Sequence, residues 1–182
     1  DATDVQRMLA AALAHSAGPV ALRWPRAECP QDEAIPAAER REMRPGTAEV
    51  LREGEEIVLW GLGPLVGECL AAADALLRRG VRVGVVDARF AKPLDEELLG
   101  QHLRRYKTLV TGEEHQRAGG FGAAVLEVAS RLPDARARVR LHGIPDRFIE
   151  HRTSREEQLE ECGLDAEGLE KSLLAIVRAS LV

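Results

Sequence analysis

The chain has 182 residues, 45% of them hydrophobic, which is enough apolar side chain for one or two packed domains and excludes an intrinsically disordered protein. The 25 basic and 30 acidic residues leave a net charge of -5 with the basic residues scattered, so the footprint of a nucleic-acid reader is missing. No apolar run approaches the roughly 18 residues of a membrane-spanning helix and no charged-then-apolar leader opens the chain, so a soluble, cytoplasmic protein without nucleic-acid or membrane partners is expected; Asp1 in place of Met fits a piece of something longer.

In chain order, Asp4 stands where an N-cap belongs, and Val5, Met8, Leu9, Ala12 and Leu13 recur at helical spacing until His15 to Gly18 break the pattern. Pro19 to Trp24 reads as a short strand ended by Pro25, which lacks a ladder donor. Between Arg26 and Pro45 prolines and the charged run Glu39 to Glu42 leave little periodicity, which is a linker composition. Beyond it, 47–51 reads as an edge strand, and Ile57 to Trp60 is a continuous apolar run suited to a strand covered on both faces. Pro64 opens a helix whose apolar face carries Leu65, Cys69, Ala73 and Leu76 to a stop at Gly80.

A strand over 81–86, a helix over 94–103, a strand over 108–111, a helix over 121–132 and a strand over 138–141 follow, and Asp165 caps a last helix. Strands and helices alternating at this spacing predict an α/β fold, a three-layer open and mostly parallel sheet with helices on both faces.

Several groups carry candidate chemistry. Gly61-Leu62-Gly63-Pro64-Leu65-Val66-Gly67, with Asp87 ending the next strand, imitates a dinucleotide fingerprint. Its third glycine comes one residue late and Pro64 removes an N–H from the helix end, so a tight packing turn is the expectation. Glu113, Glu114 and His115 precede Gly119-Gly120-Phe121-Gly122 at a strand end, where ligands bind in parallel sheets. Two carboxylates and an imidazole could ligate a metal or move protons, but contiguous side chains diverge on an extended chain, which favours loop ordering or an interface contact.

Asp87, Arg89, Lys92 and Asp95 alternate in sign, as an ion-pair network within or between subunits would, although their chemistry alone reads as a solvated strand end. Phe148 and Ile149 form an apolar pair expected to dock, with His151 and His142 as unspecific neighbours. In Arg23-Trp24-Pro25-Arg26 the proline fixes the backbone and presents Arg26, whose fork suits a phosphate or carboxylate. Cys29, Cys69 and Cys162 have no metal-ligand spacing, so core fillers and a surface thiol in a reducing compartment are expected.

Taken together, Gly18 to Arg26, Asp87-Ala88-Arg89-Phe90 with Lys92-Pro93-Leu94-Asp95, Thr111 with Glu113-Glu114, Gly119 to Gly122 and Gly143 to Asp146 resemble the C-terminal part of the 1-deoxy-D-xylulose-5-phosphate synthases, transketolase-like thiamine-diphosphate enzymes. The resemblance implies a transferase that condenses pyruvate with glyceraldehyde 3-phosphate with loss of CO2, feeding isoprenoid, thiamine and pyridoxal synthesis, and acting as a homodimer.

It further implies three parts: residues 1–30 as the last helix and strand of a pyrimidine-binding domain, 31–45 as linker and 46–182 as a transketolase-type C-terminal domain. Thiamine diphosphate and magnesium would be held upstream, so the fragment alone is expected to bind neither and to be inactive. Arg26 matches the family arginine that holds the aldehyde's phosphate. Arg23, Trp24, Asp87, Arg89, Glu113, Glu114 and His115 would support the site or an interface.

Trp24 stands for the family's tyrosine, Ala27-Glu28 for its glycine and Thr47 for a lysine, which leaves the acceptor open. Alternatives are a subunit of another transketolase or 2-oxoacid dehydrogenase type enzyme, and a non-catalytic assembly module.

Overall fold

The computed structural model describes residues 1–25, 28, 39–40, 42–151 and 154–179. In chain order these form α1 (Ala2–Ala14), β1 (Glu49–Arg52), β2 (Ile57–Gly61), α2 (Leu65–Arg78), β3 (Val83–Asp87), α3 (Glu96–Arg105), β4 (Thr108–Gln116), α4 (Phe121–Arg131), β5 (Arg138–Ile144), α5 (Arg155–Cys162) and α6 (Ala166–Ala179). The strands make one sheet in the order β1-β3-β2-β4-β5, with β1 antiparallel at the edge and the other four parallel. This is the mixed, mostly parallel open sheet that the alternation of apolar runs and amphipathic helices implies.

Alternation along each strand divides the core in two. Val58 and Trp60 of β2, Val86 of β3 and Leu109 of β4 meet Leu99 and Leu103 of α3 and Phe121, Val125 and Val128 of α4. Ile57, Leu59, Val83, Val85 and Val110 face the opposite way, against Cys69, Ala73 and Leu76 of α2 and Leu169 and Leu173 of α6. Burial of each such large side chain contributes about 1.5–3 kcal/mol, so both layers are needed. A smaller cluster of Leu65, Leu159 and Leu164 seats α5.

Four details differ from the sequence reading. Asp1, not Asp4, caps α1: its carboxylate accepts the Asp4 N–H at 3.0 Å, which places Asp4 inside the first turn. Pro19 to Trp24 forms no strand: Val20 and Trp24 are exposed, and among the described residues none of the five strands pairs with this stretch. Phe148 does not dock and lies fully exposed. Helix α5, polar on most of its surface, gives no periodic signal and is recognised by its ends: Ser154 accepts the Glu157 N–H, and Gly163 closes it at φ 64°.

Candidate functional site

The carboxyl ends of the parallel strands place Gly61, Asp87, Gly112 and the extension of β4 along one edge, where ligands enter such sheets. The chain order reverses beside β2, which lies between β3 and β4. The β2–α2 turn at this point is closed. Leu62 donates its N–H to the Gly112 carbonyl at 2.9 Å, and Val66 and Gly67 donate to Gly63 and Pro64. A Cβ on Gly61 would meet Val66 and the Cys69 Sγ at 3.1–3.2 Å, so the glycine lets strand and helix approach each other. The thiol of Cys69 is fully buried there, and desolvation pushes it up to about 12.

The next turn is occupied by a carboxylate of the chain itself. Glu113 is 1% exposed, and its two oxygens accept the N–H groups of Phe121 at 2.7 Å and Gly122 at 2.8 Å. A glycine-rich helix start that could receive an anion therefore already holds one. Glycine is required on both sides of this carboxylate: a Cβ on Gly120 would come within 2.3 Å of Glu113 Oε2, and one on Gly122 within 2.6 Å of Thr111 Oγ1. Glu114 points elsewhere and pairs with Arg155 of α5, while His115 is exposed. The three contiguous residues diverge, and Glu113 orders the loop.

The Asp87–Arg89 stretch is not a solvated strand end. Side-chain exposure of Arg89 is 1%, and its guanidinium lies 2.9 Å from Glu49 on β1 and 3.6 Å from Asp4 on α1. Arg40 joins the cluster, 2.6 Å from Asp1 and 3.0 Å from Asp4. Alternating charges here pair inward because α1 brings two acids to the same edge. Asp87 ends β3 below this cluster; burial raises its carboxyl to about 7, the Arg89 N–H draws it down and the Asp4 charge adds to the rise. Sequence reasoning missed Asp4 and Glu49 as members. A signal existed in Asp4, the one acid within α1, but nothing local pointed from it to Arg89.

Arg23 and Trp24 lie on exposed chain after α1, Trp24 being 63% exposed, and Arg26 lies outside the described residues. His142 of β5 meets Ser172 of α6 at 3.0 Å, with burial and then Arg117 lowering its basicity; His151 is exposed. Among the described residues no three or more His, Cys, Asp or Glu stand together as metal ligands. With the starts of α2 and α4 both engaged by the chain itself, the described residues do not fit a diphosphate–magnesium group.

Comparison with known proteins gives this geometry a context. The 1-deoxy-D-xylulose-5-phosphate synthase 1 of Geobacter sulfurreducens is 40% identical over 183 aligned positions, which cover 98% of this chain and 28% of that protein. The corresponding synthase of Desulforudis audaxviator is 45% identical over 156 positions, covering 83% of this chain and 23% of that protein. The chain thus spans about a quarter of the length of these relatives.

Among solved structures, a chain described as "Split gene transketolase, inactive beta4 tetramer" superposes with a TM-score of 0.70 at 32% identity, covering 79% of this chain and 46% of that one. Transketolase from Campylobacter jejuni shares the fold, with a TM-score of 0.53 at 19% identity over 70% of this chain and 18% of that one. The family described as "Transketolase, C-terminal domain" matches residues 46–169, and the chain belongs to that family.

Proposed function

We propose that this chain is the C-terminal part of a 1-deoxy-D-xylulose-5-phosphate synthase, which condenses pyruvate with glyceraldehyde 3-phosphate with loss of CO2 to form an isoprenoid, thiamine and pyridoxal precursor. The observation that carries the reading is identity of 40–45% to such synthases, extending in one of them over 98% of the chain and so beyond the domain match at 46–169. The Arg89-Phe90-x-Lys92-Pro93-Leu94-Asp95 wording supports it further. Thiamine diphosphate supplies the decarboxylation chemistry in this family. Its ligands and those of magnesium belong to the portion of the relatives that this chain does not span.

In this reading residues 1–30 close a pyrimidine-binding domain, 31–45 link it, and 46–182 scaffold a cytoplasmic homodimer. Arg26 takes the phosphate of the aldehyde, with Arg23 and Trp24 supporting it. A charge-assisted bond of this kind contributes about 1.5–3 kcal/mol, so in the protein extended by its upstream portion Arg26→Ala raises the KM for glyceraldehyde 3-phosphate about tenfold or more. An unchanged KM removes the anchor role. On this reading, calorimetry on the 182-residue chain detects no thiamine diphosphate binding; micromolar binding would overturn that assignment.

The likeness to a split-gene transketolase chain supports a second reading, in which this chain is a separate transketolase-type subunit. Products formed from pyruvate and from ketose phosphates distinguish the two.

A further inference from the structure

Arg89 is the one non-glycine residue with positive φ among the described residues, at 56°. It forms the apex of a three-residue turn in which the Phe90 N–H donates to the Ala88 carbonyl at 2.5 Å, while its own N–H donates to Asp87 Oδ1 at 2.9 Å. A turn of this hand is strained for a residue with a side chain, and such strain persists where the surroundings use it. Here the strain aims a buried guanidinium at Glu49 and at Asp4 of α1. Among the described residues Asp4 is the one buried member of that helix, while Val5, Leu9 and Leu13 are exposed. An ionic hold on α1 is shared between Arg89 and Arg40.

We propose that Arg89 is a positioning residue, a strand-end clasp that binds the acidic first turn of α1, fixes the segment leading to Arg23 and Arg26 against the C-terminal domain, and closes or loosens with the proton on Asp87. The proposal rests on the reading above that residues 1–30 hold the aldehyde's phosphate. The charged groups facing Asp87 are Arg89 on its own turn, Asp4 on α1 and its register partner Glu49 on β1, while Cys69 on α2 faces it as a neutral thiol. Arg40, Asp1 and Arg7 surround Asp4.

An ionised Asp87, whose Oδ1 accepts the Arg89 N–H, sets a second buried negative charge near Asp4, and a protonated one does not. Burial chiefly raises the Asp87 carboxyl to about 7, so the contribution to docking is present at low pH and lost as pH rises through that value.

Hydrogen exchange of the 182-residue chain between about pH 6 and 8, corrected for intrinsic rates, tests this. In the unsubstituted chain α1 amides are about fivefold or more better protected at pH 6 than at pH 8, and Asp87→Asn flattens that profile. At pH 6, Arg89→Met and Asp4→Asn each lose α1 protection while core amides of Leu59 and Val110 keep theirs. Unchanged α1 protection in Arg89→Met, or the same pH profile in Asp87→Asn as in the unsubstituted chain, overturns the proposal. If Arg89→Met unfolds the domain, Asp4→Asn on the peripheral helix decides alone: retained α1 protection overturns the clasp. None of these measurements reads turnover, so a failed clasp and a failed synthase assignment are told apart.

Discussion

Trp60 donates its indole N–H to Nδ1 of His102 at 3.1 Å, across the interface between β2 and α3. The imidazole is buried between the rings of Trp60 and Tyr106, and desolvation lowers its basicity. An acceptor Nδ1 requires the neutral ring. Because the folded value lies below the unfolded one, this contribution to stability is complete above about pH 6.5 and is lost as pH falls through the folded value. Urea midpoints measured at successively lower pH fall for the unsubstituted protein. His102→Asn, which keeps an acceptor and cannot titrate, lacks that part of the fall; parallel curves for the two proteins would remove His102 from the account.

Glu113 satisfies two helix-start donors with a buried carboxylate. Glu113→Ala leaves both N–H groups without an acceptor, and each orphaned donor costs about 1–3 kcal/mol, for a total loss of roughly 2–6 kcal/mol. Denaturant unfolding measures it. A loss below about 1 kcal/mol contradicts the assignment of Glu113 as the cap of α4.

Two glycines in helices respond oppositely to the same substitution. Gly122→Ala drives a methyl to 2.6 Å from Thr111 Oγ1 and 2.7 Å from Leu141 Cδ2, an overpacking expected to destabilise by about 1–3 kcal/mol. Gly67→Ala in α2 meets nothing within 4 Å and gains helix propensity, about 0.5–1 kcal/mol of stabilisation. Melting temperatures of the pair move in opposite directions; a shared direction would refute the packing described around Gly122.

The Cys69 thiol, buried under the β2–α2 turn and held protonated up to about pH 12, reports on unfolding. Peptide mapping after iodoacetamide at pH 8 finds Cys69 unlabelled in the native protein and labelled in urea. Labelling of native Cys69 at the rate of a free thiol would show that the turn opens.

The sheet was legible because β2, β3 and the first half of β4 are short apolar runs bounded by glycine, proline or charge, β5 alternates, and each long helix carries one apolar face. Ile57 to Trp60 and Leu65 to Leu76 are the clearest cases, and the structure puts both layers of core where their alternation implies. Pro19 to Trp24 was misread because strand propensity says nothing about whether a partner strand exists.

The alternating charges of Asp87 to Asp95 read as solvated because the acid that meets Arg89, Asp4, lies far away in sequence on α1, and only the fold joins them. Glu113 was singled out for its place at a strand end. Its role could not be read because it depends on β4 running to Gln116, farther than its apolar stretch, and so carrying the carboxylate beneath α4.

On the proposed function, this chain completes a synthase joining pyruvate to an aldehyde phosphate. The most direct test is the product formed by the protein extended through its upstream portion, with thiamine diphosphate, magnesium, labelled pyruvate and glyceraldehyde 3-phosphate, followed by NMR. Release of CO2 with stoichiometric 1-deoxy-D-xylulose 5-phosphate is the expected result; a folded, cofactor-loaded protein that forms none of it, or that transfers a ketol unit from a ketose phosphate instead, would contradict the proposed function.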